Sequence, residues 1–244
     1  MIIESAQNET FKRLMSLTSS KGLKAEGLFM LSGEKLIREF LKKPTLDVAY
    51  EVLAPSQKSL MGNDTPILHL SGPLFQQLDV LGTHFNILVL TQPTVPLLTA
   101  QDLTTYQPQG IELVLPLGDP GNLGALLRSC EAFGISRAIL SREAAHPFLP
   151  KAVKASAGSV IRLPLARGPA LTEFPQESIA LDMTGTAIDS FTWPANGLLL
   201  VGEEGPGFGK GLFPNRVRIP TSGVESLNVV VAASIALSRI PHKF

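Results

Sequence analysis

Cysteine, tryptophan and net charge are nearly missing from this 244-residue chain, which holds one cysteine, one tryptophan and two tyrosines and balances 21 basic against 21 acidic side chains. A single thiol, Cys130, forms no internal disulfide, and without a Cys or His cluster beside it nothing signals a metal site. Balanced charge excludes a globally basic nucleic-acid binder and leaves only local patches to consider. No apolar run reaches the roughly 20 residues that cross a bilayer. The opening MIIESAQNETFKRL also lacks the apolar core of a signal peptide, so the expected location is the cytoplasm, away from membranes.

What is present is an ordinary globular composition, 44% hydrophobic and 17% charged. Basic residues gather in two places. Residues 151–168 carry Lys151, Lys154, Arg162 and Arg167 with no acid, and residues 206–244 carry Lys210, Arg216, Arg218, Arg239 and Lys243 against Glu225 alone. Each block is either a solvated surface or a phosphate contact.

Organisation changes near residue 91, where TQPTVPLLTAQDLTTYQPQG mixes three prolines with turn-forming residues and little periodicity. The expected division is a small α/β domain over 1–92, a linker over 93–110 and a larger domain over 111–244. In the first, 8–18 and 33–43 read as helices and 48–54 and 85–91 as strands. In the last, strands are expected at 111–117, 137–140, 160–163, 178–182, 197–202 and 216–220, separated by helices and loops. That alternation predicts an α/β fold with a mainly parallel sheet covered by helices on both faces.

Three segments of that larger domain carry the chemistry. GDPGNLGALLRSCEAFG (118–134) is a turn running into a helix, with Asp119 and Pro120 at its start and Leu123, Leu126, Leu127, Cys130 and Phe133 on one apolar stripe. Cys130 on that stripe reads as a buried structural thiol. Arg128 stands off the stripe, with Gly124 one turn below it, where a missing side chain would let a substrate approach. GLLLVGEEGPGF (197–208) ends a buried strand in a loop with Gly202, Gly205 and Gly207, at the carboxyl end of a parallel strand where ligands bind. It is neither a P-loop nor a dinucleotide fingerprint, so a nucleotide-dependent oxidoreductase is set aside. Glu203 and Glu204 lie in this loop, as exposed acids or as groups that orient a hydroxyl. RIPTSGVESLNVVVAAS (218–234) follows a strand with a polar turn and then a helix apolar nearly all round, expected in a core or a subunit contact. Ser226 and Asn228 open that helix as caps or as site residues.

In order and spacing the three segments resemble the signature motifs of the SpoU/TrmH family of RNA 2′-O-ribose methyltransferases, in the SPOUT superfamily. The matching positions are Asp119, Pro120, Asn122, Gly124, Arg128 and 132–134; Gly202, Glu204, Gly205 and Gly207; and Ile219, Pro220, Ser226, Leu227 and Asn228. Residues 151–165 are similar to the family's linking segment. Residues 5–14 and 29–33 are similar, more weakly, to its auxiliary RNA-binding domain, although Ser32 stands where an acid is common.

The resemblance implies a deep C-terminal trefoil knot, an exception to the unknotted rule, and S-adenosyl-L-methionine as cofactor. It places Gly202, Glu204, Gly205, Ile219, Pro220 and Leu227 at that cofactor, and Arg128, Asn122, Glu204, Ser226 and Asn228 at the reaction. A structured RNA substrate, ribosomal more than transfer RNA, and a homodimer are implied as well. The other reading is a non-catalytic RNA-binding or ribosome-assembly protein on the same fold. A guanidinium is effectively never deprotonated, so Arg128 is expected to stabilise a developing oxyanion instead of acting as a base.

Overall fold

A computed structural model describes residues 2–62, 65–202, 208–209 and 211–241. Close packing divides the chain into two units, residues 1–94 with 146–161, and residues 95–145 with 162–244.

The chain begins with β1 (Ile2–Ile3), α1 (Glu9–Ser16), α2 (Ser20–Glu26), β2 (Leu28–Ser32) and α3 (Glu34–Lys42). It continues through β3 (Val48–Leu53), β4 (Ile67–Leu70), α4 (Gly72–Leu78) and β5 (Ile87–Thr91). Among the described residues these strands form one mixed sheet, in the order β1-β4-β3-β5-β2. Local chemistry sets the helix ends. Asn8 accepts from the Thr10 and Phe11 amides to start α1, and Gly27, at φ 62°, ends α2 in the left-handed conformation glycine tolerates. Buried Glu51 accepts hydrogen bonds from the Leu60 amide (2.9 Å), the Asn86 side-chain amide (2.7 Å) and the Ser59 hydroxyl (2.5 Å), which offset the cost of its burial.

After β5 come α5 (Ala100–Leu103), β6 (Ile111–Leu115), α6 (Pro120–Ala132) and β7 (Ala138–Leu140), then α7 (Pro150–Ala155), α8 (Ser159–Arg162) and β8 (Leu165–Arg167). Last are β9 (Ile179–Ala187), β10 (Gly197–Val201), β11 (Arg216–Arg218) and α9 (Val229–Arg239). All six strands of this sheet pair in parallel, in the order β11-β9-β10-β6-β7-β8. The parallel sheet expected from the alternation is therefore present. Val114, Ile139, Ala166, Ala180 and Leu200 share one buried cluster with Leu103 of α5, Leu171, Phe174, Phe208 and Phe213. The cover on that face is a short helix, a turn and loop aromatics. The alternating residues reach the other face, where α6 and α9 pack together and α9 meets β9.

Two local expectations are corrected. Residues 160–163 are not a strand: Val160 and Ile161 lie in α8, and the strand follows at 165–167. Ala157 and Gly158, at φ 47° and 87°, turn the chain just before it, and a short apolar run cannot by periodicity alone be told from a buried helix. The proline-bearing stretch after residue 92 is also less open than a linker. Leu98 N–H donates to the Arg167 carbonyl and Arg167 N–H to the Pro96 carbonyl, both at 2.8 Å, so it closes the β8 edge.

Although it lies between β7 and β8 in sequence, the segment 146–161 belongs to the first unit, where α7 packs on β2. Phe148 and Phe29, 1% and 0% exposed, stack with ring centroids 4.7 Å apart. Phe148→Ala is expected to lower stability by about 3–5 kcal/mol, the usual cost of emptying a phenylalanine site. Urea unfolding monitored by hydrogen exchange of β2 checks this, and a loss below about 1 kcal/mol would mean that the segment only rests on the surface.

Candidate active site

The carboxyl edge of the larger sheet is where its strands end. Leu200 of β10 pairs with Val114 of β6, and Val201 with Leu181 of β9, so the connections leaving these strands emerge side by side. Val217 and Arg218 of β11 pair with Thr186 and Ala187, further along β9. In doubly wound parallel sheets ligands bind at this carboxyl edge.

The first motif starts on the edge. The Asp119 carboxylate accepts from the Asn122 amide at 2.8 Å and caps α6, with Pro120 in the first turn. Asn122 is half-buried. Leu123, Leu126, Leu127 and Cys130 are fully buried as the stripe demands, and burial pushes the Cys130 thiol far above its ordinary range, which leaves it inert. Arg128 is exposed on the opposite side of the helix, and among the described residues it has no hydrogen-bond or ion-pair partner. Gly124 is itself buried, which corrects the expectation that it opens a path to Arg128.

The second motif enters with Gly202, half-buried at the end of β10. Glu203, Glu204, Gly205 and Gly207 lie outside the described residues.

The third motif begins as β11 ends. Ile219 is half-buried and Pro220 exposed, Gly223 turns the chain at φ 78°, and Ser226 and Leu227 are exposed and half-buried. Asn228 caps α9 by accepting from the Val230 amide at 2.9 Å. Helix α9 buries Ala233, Ala236 and Leu237 but leaves Val231 49% exposed, so its apolar surface is covered on one side only. The hydroxyls of Ser129 and Ser234, 2.8 Å apart, join α6 to α9 and so tie the Arg128 helix to the one opened by Ser226 and Asn228.

Half-buried Ile219 and Leu227 supply apolar contact, and among the described residues their backbone amides and carbonyls have no hydrogen-bond partner. An apolar wall with free main-chain groups suits a nucleoside-bearing cofactor that is read mainly by backbone. No group of three or more His, Cys, Asp or Glu stands together among the described residues as a metal would require. No helix among them is long and apolar enough to cross a membrane.

One feature escaped the sequence reading: Arg216, treated there only as part of a basic block, is ion-paired with Asp182 at 3.1 Å. A side chain on β9 and another on β11 are 34 positions apart, and no local pattern joins them.

The fold and this edge define an α/β protein whose parallel sheet offers a ligand site at its carboxyl edge, and comparison with known proteins narrows it. Over 98% of its length the chain superposes on the AdoMet-bound rRNA methyltransferase from Sinorhizobium meliloti, with TM-score 0.76, 22% identity and 97% of that chain covered. Residues 113–238 match the SpoU rRNA methylase family, and the chain belongs to it. The chain is 35% identical over 96% of its length to a protein named ribosomal RNA small subunit methyltransferase G 2, from Syntrophobacter fumaroxidans. It spans about half of that relative, 48% of its length. It is also 29% identical to the 23S rRNA (guanosine(2553)-2′-O)-methyltransferase RlmP of Bacillus subtilis, over 98% of both chains.

Proposed function

We propose that the protein transfers a methyl group from S-adenosyl-L-methionine to a ribose 2′-hydroxyl of structured RNA in the cytoplasm, ribosomal RNA before transfer RNA. The observation that carries this is that β6, β10 and β11, the strands from which the three motif segments lead, lie in one parallel sheet within the stretch matching the SpoU rRNA methylase family. The end-to-end similarity to an enzyme named for 2′-O-methylation of 23S rRNA, and to an AdoMet-bound neighbour, supports the chosen hydroxyl, RNA class and cofactor.

When bound, S-adenosyl-L-methionine supplies an electrophilic methyl on a sulfonium. Gly202, Ile219 and Leu227 would hold it mainly by backbone, with Gly205, Pro220 and Glu204 also placed at the cofactor by this reading. Asn122, Ser226 and Asn228 orient the ribose hydroxyl, since in-line transfer depends on position. The hydroxyl is a very weak acid and its proton leaves to solvent as negative charge grows on oxygen. Arg128, a permanent cation with a forked set of donors, stabilises that charge and grips the adjacent phosphate. Residues 1–92 are the auxiliary RNA-binding domain of this reading, and 111–244, apart from the segment 146–161 that packs with the first unit, the methyltransferase domain.

The trefoil knot and the homodimer belong to the same reading. In its favour, the chain must cross β9 to travel from β10 to β11, and Val224 and Val231 leave apolar surface 57% and 49% exposed beside the third motif.

Methyl-labelled cofactor incubated with purified ribosomal and transfer RNA tests the reading. Label is expected in alkali-resistant dinucleotides from ribosomal RNA, because a 2′-O-methyl blocks cleavage at its own phosphodiester. Label in a base would sink the 2′-O assignment, and RNA retention without label would favour the non-catalytic alternative.

A further inference from the structure

Arg216 opens β11 with a side chain only 17% exposed, and its guanidinium makes four hydrogen bonds and one ion pair. Nε donates to the Phe213 carbonyl at 3.1 Å, and Nη2 donates to the carbonyls of Leu212 at 2.7 Å and Gly209 at 3.2 Å. Nη1 donates to Thr184 Oγ1 at 3.3 Å and pairs with Asp182 Oδ2 at 3.1 Å. Three of those acceptors are main-chain carbonyls of one connection. A guanidinium used this way holds the shape of a loop; a surface acid alone would not need the fork.

That connection needs holding. Phe213 sits at φ 49°, a conformation that side-chain-bearing residues rarely adopt, with its ring fully buried and edge-on to Phe208 at 5.4 Å. Its amide donates to Gln176 Oε1 at 3.2 Å. Such a backbone persists only where its surroundings over-determine it. At the other end of the clamp, Asp182 accepts from the Thr184 amide at 2.9 Å and its hydroxyl at 2.8 Å. Burial pushes the Asp182 carboxyl up, but the Thr184 hydrogen bonds and the Arg216 charge outweigh it and hold the carboxyl below its ordinary range.

We propose that Arg216 is a positioning residue for the cofactor. Through Asp182 and Thr184 on β9 it fixes Gly209, Leu212 and Phe213, the last part of the connection from β10, and with them the register in which β11 delivers Ile219 and Pro220. The inference rests on the reading that S-adenosyl-L-methionine binds at the ends of β9, β10 and β11. With the clamp in place Gly209 and 211–215 are ordered on folding. Without it, the ordering cost falls on the binding step.

Calorimetry of S-adenosyl-L-methionine binding to the full chain, together with hydrogen exchange over 200–228, tests this. Wild-type protein is expected to gain cofactor-dependent protection in that stretch. In Arg216→Ala the Kd is expected to rise about tenfold. The KM for RNA, and kcat at saturating cofactor, should stay within about twofold, a split that general destabilisation would not give. Arg216→Lys should recover part of the loss, since an ammonium cannot reach all the carbonyls at once. Protection in wild type with a Kd unchanged in Arg216→Ala overturns the clamp and leaves the site reading intact. Absence of protection in wild type overturns both. Should Arg216→Ala fail to fold, Arg216→Lys and Asp182→Asn decide the matter by the same Kd criterion, each expected at about threefold.

Discussion

Replacing Arg128 with lysine is expected to lower methyl transfer about 10²–10³-fold, the loss that follows removal of one well-placed oxyanion donor, with cofactor affinity near normal. Arg128 is exposed, lies on α6 and makes no hydrogen bond or ion pair among the described residues, so its removal breaks none there. A lysine keeps the charge but not the planar fork that spans an alkoxide and a neighbouring phosphate. Calorimetry of cofactor binding beside a methylation assay separates the two quantities. Unchanged turnover would remove Arg128 from the chemistry. A parallel loss of cofactor affinity would instead give it a binding role.

Gly185→Ala is expected to have the other large effect, this time on stability and on the site together. Gly185 sits in β9 at φ 111°, and a Cβ there would lie 2.5 Å from the Arg216 carbonyl oxygen and 2.6 Å from the Arg216 Cβ. The backbone conformation alone disfavours any side chain, and the clash falls on main chain that cannot swing away. The Gly185 carbonyl also accepts from Arg218 Nε at 3.2 Å, so any shift is passed to β11. A loss of about 2–4 kcal/mol is expected in denaturant unfolding. Cofactor binding should weaken at temperatures where the variant is still folded, because β11 leads directly to Ile219 and Pro220. Unaltered stability would mean that β9 and β11 separate without cost.

Much of this was legible beforehand because the signals are local. Glycine, proline and polar caps mark where helices begin, and Asp119 and Asn228 both cap the helices they precede. Apolar stripes and runs mark what is buried, as at Leu123, Leu127 and Cys130 and along β6 and β10. Misreadings came where local signals are degenerate. Val160 and Ile161 are apolar and β-branched, yet two positive-φ residues before them start a helix turn. Gly124 looked like an opening because spacing along a helix gives the side of a residue, not what packs on it.

The chain by itself therefore determined the α/β class, the parallel sheet and the three segments that follow its strands, since each depends on residue type and short-range spacing. Only the tertiary structure decided that 146–161 completes the first unit around Phe148, that Pro96–Leu98 closes an open strand edge, and that Arg216 binds Asp182 across 34 positions. Those contacts join residues distant in sequence, and a packed interior is specified by shape and hydrogen-bond complementarity that no periodicity records.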